Sequence, residues 1–101
     1  QFCHIGGYVM IQGGSRFSKD IPPYIIAGKD PTCYCGINLV GLRRRGFSNE
    51  LIDTIHEAYR IIYSNGLIEE GIKQVREKLP PCKEIDYIID FIQSSKRGII
   101  R

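Results

Sequence analysis

Few side chains in this sequence suit catalysis or metal binding, and their spacing decides what they can do. The four cysteines, Cys3, Cys33, Cys35 and Cys82, include one C-x-C pair and none of the C-x2-C pairs that build zinc ribbons. The two histidines, His4 and His56, complete no metal-ligand spacing, so no metal site is expected. A secreted disulfide scaffold of this length would be richer in cysteine and carry a secretion signal, so reduced structural thiols in a cytoplasmic protein are the expectation. The basic residues are more informative. Arg43, Arg44 and Arg45 are consecutive, with Arg16, Lys19 and Lys29 before them and Lys96, Arg97 and Arg101 at the end. Phosphate groups and acidic protein surfaces are the usual partners of such clusters, and on charge alone a solvated basic loop is an equal alternative.

The elements that must position these residues fall into two periodicities. Over the first 25 residues the pattern repeats every six. Ile5, Ile11 and Phe17 share one place in the repeat, and Cys3, Val9, Ser15 and Ile21 share another. A hexad forms one flat face of a triangular coil, with bulky aliphatics inside and small residues at the corners. Stacked coils bury a continuous interior that one coil cannot bury alone. Pro22-Pro23 ends the pattern by removing two backbone donors. A connector follows, with a short strand over 24–27, a turn over 28–31 and an extended stretch over 36–40. Gly41 and Gly46 bracket the arginines in what reads as a loop.

From Ser48 the period becomes helical. Ser48 is an N-cap with Glu50 in the first turn, and Leu51, Ile52, Ile55, Tyr59 and Ile62 make an apolar stripe that stops at Asn65-Gly66. A second stripe runs through Ile68, Ile72, Val75 and Leu79 to Pro80-Pro81. A third, with Ile85, Ile88, Ile89 and Ile92, predicts a helix over 83–95. Short connections make neighbours antiparallel, so 48–101 reads as a compact three-helix unit. At 101 residues, 43% hydrophobic and 25% charged, the composition is that of an ordinary globular protein. No apolar run approaches the roughly 18 residues of a membrane span, and no signal peptide is evident. The chain starts at Gln1 and its only methionine is Met10, which suggests a fragment.

Several stretches carry a resemblance. They are Gln1-Phe2-Cys3, Asp20-Ile21-Pro22-Pro23-Tyr24, Gly36-Ile37-Asn38, Gly41-Leu42-Arg43-Arg44-Arg45-Gly46-Phe47-Ser48 and Arg97-Gly98-Ile99-Ile100-Arg101. Together, in register, they resemble the UDP-N-acetylglucosamine acyltransferases of lipid A synthesis over essentially the whole chain. The resemblance implies an α+β fold: the end of a left-handed parallel β-helix of hexapeptide repeats, followed by a C-terminal α-helical domain. The divisions would be a last coil over 1–25, a connector with the basic nucleotide-binding loop over 26–47 and a three-helix domain over 48–101. It further implies a homotrimer when full length, with active sites between subunits.

The implied reaction moves a 3-hydroxyacyl group from acyl carrier protein to the glucosamine 3-hydroxyl of UDP-N-acetylglucosamine, with no cofactor. A histidine general base suits this work, since neutral imidazole titrates near the working pH. In the family that base lies upstream of residue 1, so the chain alone is expected to be inactive. His4 and His56 read as surface residues. Gln1, Asn38, Arg44 and Arg45 match substrate-binding positions, the arginines offering forked donors to the diphosphate. Gly13 matches the place where acyl-chain length is measured, and Gly14 beside it can meet the corner's backbone requirement. Val40 departs from the family pattern, where some members have glutamate. Arg43, Lys29 and Arg16 are the candidates for meeting acidic acyl carrier protein. Two alternatives are a later N-acyltransferase of the same pathway and a basic nucleic-acid-binding module. The second is disfavoured, because few aromatics interleave with the basic residues.

Overall fold

The computed structural model describes residues 3–13, 18–29 and 32–101. The coil, the connector and the helices are best followed through their backbone hydrogen bonds. In the coil, the bridge Ile5↔Ile21 and the pairs Met10↔Ile26 and Ile11↔Ala27 are all parallel and offset by sixteen residues. One turn of chain therefore returns beside itself, slightly short of three full hexads. Gly6 lies where the turns touch: a Cβ there would sit 2.6 Å from Pro23 Cα. Strand β1 (Met10–Ile11) pairs with β2 (Ile25–Gly28), which pairs antiparallel with β3 (Cys33–Ile37). The sheet order is β1-β2-β3.

The hexad places predict Ile5 and Ile11 inside the coil, but they are 48% and 38% exposed, while Ile21 is fully buried. The reason is geometric. Ile21 has the helices over it, whereas a coil interior is closed only by further coils.

The helical half follows its periodicity. Helix α2 (Asn49–Ser64) starts at Ser48, whose hydroxyl accepts from the Leu51 N–H at 3.1 Å. It buries Ile52, Ile55, Tyr59 and Ile62, with Ala58 and Ile61 widening the stripe. Helix α3 (Ile68–Lys78) packs on it through Ile72 and Val75, and α4 (Lys83–Ser94) through Ile85, Ile88, Ile89 and Ile92. Ile21, Ile25 and Ala27 join the same core, so coil and helices share one apolar interior.

The connector differs from expectation. Arg43 and Arg44 lie on a helix and Arg45 in the turn that ends it, and 36–40 is not extended throughout. Strand β3 ends at Ile37, and Leu39–Arg44 form a short helix, α1. Asn38 starts it, its Oδ1 accepting from the Gly41 N–H at 3.2 Å. Gly46 ends it with φ +84°, a left-handed conformation that glycine adopts without strain. The Gly46 N–H donates to Arg43 O and the Phe47 N–H to Leu42 O, both at 3.1 Å. These two bonds are a Schellman stop, with buried Leu42 and half-buried Phe47 joining the core on either side. The eight-residue stretch 41–48 is thus a helix body, its stop and the next helix's cap.

Candidate functional site

Helix α1 sets the arginines on the surface in diverging directions. All three are exposed. Arg43 lines a cleft of about 460 Å³ with Asn49, Asp53 and His56 of α2. Arg45 instead reaches the coil, its guanidinium 5.7 Å from the centre of the Tyr8 ring. A cation over an aromatic face is held by the ring quadrupole, and a guanidinium so held keeps its N–H edges free for an anion. Arg43 and Arg44 lie in the last turn of α1, where the backbone's partial negative charge favours cations.

Tyr8 is in turn fixed from beneath. Its ring stacks on Tyr24 at 5.5 Å and meets Phe47 edge-on at 5.1 Å, while Tyr87 meets Tyr24 edge-on at 5.8 Å. Tyr8 and Tyr24 both hold positive φ, 60° and 72°. L-residues rarely adopt that conformation, and here the aromatic stack accompanies it. Burial, then the neighbouring acidic groups, pushes the Tyr24 hydroxyl above its ordinary pKa, so it stays protonated and contributes no charge to the arginine face. The sequence reading missed Tyr8. It lies far from Arg45 along the chain, and only coil closure brings the two together.

Asn38 is 9% exposed and occupied within the chain: besides capping α1, its Nδ2 donates to Tyr8 O at 3.0 Å. It fastens the arginine helix to the coil. Gly41 makes this possible, since a Cβ there would sit 2.8 Å from Asn38 Cγ. Val40, at 61% exposure, stands on the same short helix. Gly13 is exposed, and a Cβ there would meet nothing within 4 Å. Its φ lies outside the left-handed region, so backbone geometry does not require glycine there. Gln1, Gly14 and Arg16 lie outside the described residues.

His4 and His56 are exposed. Asp20 sits close to His4 but accepts from its backbone N–H at 2.8 Å, and its other oxygen accepts from Ser95 Oγ at 2.6 Å. This trio is a structural knot: the imidazole takes no part in either bond. All four cysteines are free thiols, and among the described residues no three metal-ligating side chains gather. No helix among them is long and apolar enough to cross a membrane.

Comparison with known proteins fits this architecture. The family model described as UDP-N-acetylglucosamine O-acyltransferase, domain 2, matches residues 20–100. The acyl-[acyl-carrier-protein]–UDP-N-acetylglucosamine O-acyltransferase of Sulfurihydrogenibium sp. is 52% identical over 84% of this chain and 32% of its own length. The Myxococcus xanthus protein of that name is 42% identical over the whole chain and 40% of its own length. The crystal structure of a UDP-N-acetylglucosamine acyltransferase from Bacteroides fragilis superimposes with TM-score 0.96 at 65% identity, covering all of this chain and 40% of that one. The parallel coil is thus the end of a left-handed β-helix, and the helices are the α-helical domain that follows it. The chain spans 32–40% of the length of these relatives and belongs to the UDP-N-acetylglucosamine O-acyltransferase family.

Proposed function

We propose that this chain is the nucleotide-binding end of an enzyme that transfers a 3-hydroxyacyl group from acyl carrier protein to the 3-hydroxyl of UDP-N-acetylglucosamine, opening lipid A synthesis. The observation that carries this reading is the likeness to the Bacteroides fragilis acyltransferase over the chain's full length. Arg44 and Arg45 meet the diphosphate with forked N–H donors. Gln1 contributes an amide to the sugar, and Asn38 acts by holding α1 in place. Gly13 leaves room for the acyl chain, supported by the open space around it. Arg43, beside the α1–α2 cleft, faces the acidic carrier protein.

The general base that takes the 3-hydroxyl proton as it attacks the thioester is a histidine of another segment. Among the described residues neither imidazole makes a side-chain hydrogen bond that would orient it for catalysis: Asp20 takes the His4 backbone N–H instead. The working assembly is a homotrimer in the cytoplasm, with the cleft shared by neighbouring subunits.

The test is a chimera in which this chain replaces the matching segment of the Bacteroides fragilis enzyme. Acyl transfer to UDP-N-acetylglucosamine is expected to persist. Arg44→Ala and Arg45→Ala should each raise the KM for the sugar nucleotide roughly 10- to 100-fold, the loss of a charge-assisted hydrogen bond. An active chimera indifferent to both substitutions would remove the arginines from the nucleotide site.

A further inference from the structure

The nucleotide reading leaves the C-x-C pair on β3 unused. Tyr34, between the two cysteines, packs its ring 4.6 Å from Tyr63 and 5.7 Å from Tyr59 on α2. Side chains alternate along a strand, so Cys33 and Cys35 share the opposite face. Both are half-buried free thiols, and the Cys35 thiol donates to Cys33 O at 3.5 Å. Burial and hydrogen bonding to the Cys33 thiol push the Cys35 thiol up, while the Lys29 ammonium pulls the other way.

Two arguments narrow what such a pair can do. Two residues of strand rise separate the Cα atoms by about 6.6–6.8 Å, the upper end of what a disulfide spans, so an interposed atom fits more easily than a direct S–S bond. With no third ligating side chain near among the described residues, the four-ligand demand of structural zinc is unmet. Soft ions that accept two thiolates remain. We propose that Cys33 and Cys35 form a two-thiol chelate for a soft, thiol-seeking metal or metalloid ion, with the Lys29 ammonium offsetting the charge left on the sulfurs.

Phenylarsine oxide is the probe. Two S–H bonds and the arsenic–oxygen bond break, two As–S bonds form and water leaves; arsenic stays trivalent and no electrons are transferred. The folded chain is treated with the arsenical in excess 2-mercaptoethanol, which strips single-thiol adducts but not chelates. Iodoacetamide labelling and peptide mapping follow. The expected result is a surviving adduct with Cys33 and Cys35 protected, Cys3 and Cys82 alkylated and the far-UV circular dichroism unchanged. Cys33→Ser and Cys35→Ser should each abolish the adduct. Dithiothreitol should release the arsenical from the folded chain at about tenfold higher concentration than from the chain in urea, because the strand pre-organises the pair. Loss of the adduct to mercaptoethanol, protection of other cysteines, or equal release from folded and unfolded chain would each overturn the proposal. The wild-type map decides even where a serine variant fails to fold.

Discussion

The Tyr59 hydroxyl donates to the carbonyl of Pro23 at 2.6 Å, inside the core. Helix α2 is thereby tied to the coil at the point where the hexads end. Tyr59 is fully buried, so removing its hydroxyl leaves the Pro23 oxygen without that donor and out of reach of water. Tyr59→Phe is expected to lower stability by about 1–3 kcal/mol in urea unfolding. Tyr63→Phe, which frees Ile100 O from a 2.7 Å bond in a less buried setting, should cost less.

Alkaline pH should act on these same groups. Burial raises the Tyr59 and Tyr63 hydroxyls above their ordinary pKa near 10. Below that value both folded and unfolded chains keep the proton, and this contribution to stability is fully present. Above it the unfolded chain releases protons that the folded chain retains, so stability falls as pH rises through 10 and beyond. Urea midpoints measured from pH 8 to 11 should be flat and then decline, with a shallower decline in Tyr59→Phe.

Gly71 sets how closely α3 approaches α2. A Cβ there would lie 2.7 Å from Ile62 Cα and 3.0 Å from its carbonyl oxygen. Alanine would favour the helix by about 1 kcal/mol. Backbone cannot step aside as a side chain can, so overpacking of about 1–3 kcal/mol should win. Gly71→Ala is expected to lower the thermal midpoint, whereas Gly66→Ala, with nothing within 4 Å, should have little effect.

Tyr8 is expected to matter to the nucleotide through Arg45. In the active chimera, Tyr8→Ala should raise the KM for UDP-N-acetylglucosamine about two- to fivefold with little change in kcat, the value of an exposed cation–π contact. Tyr8→Phe keeps the ring and should behave as wild type. Equal effects of both variants would point to the hydroxyl instead.

Acyl-chain selection gives an independent check on Gly13. In the same chimera, Gly13→Leu should shift preference toward shorter 3-hydroxyacyl donors while leaving the nucleotide KM unchanged. An unaltered chain-length profile would remove Gly13 from the acyl groove.

The long helices were legible because their stripes are sustained over three or more turns, and packing agrees with propensity. Ser48 and Pro80-Pro81 marked ends that the backbone obeys. Helix α1 was not legible. Six residues are too few for a periodicity, and Gly41 within them argues against a helix by propensity. The helix forms because Asn38 caps one end and Gly46 closes the other. The arginine face was half legible: its composition suggested an anion, but the Tyr8 ring beneath Arg45 depends on coil closure, which no local pattern encodes. The part Asn38 plays within the chain was not legible either, because its amide bonds to Tyr8 O and the Gly41 N–H join residues that only the fold brings together.

Residues 98–100 close the coil, and that has a consequence for how the protein is made. Asp20 N–H donates to Gly98 O, Ile100 N–H donates to Asp20 O, and Ile99 and Ile100 are buried. The bridge Asp20↔Ile99 joins positions almost eighty residues apart, so it cannot pair until both have been synthesised. A nascent chain therefore cannot complete this rung until Ile100 has left the ribosome. Until then the coil carries an unfinished edge, and a stalled or prematurely terminated product lacking residues 98–100 would reach quality control with that edge exposed.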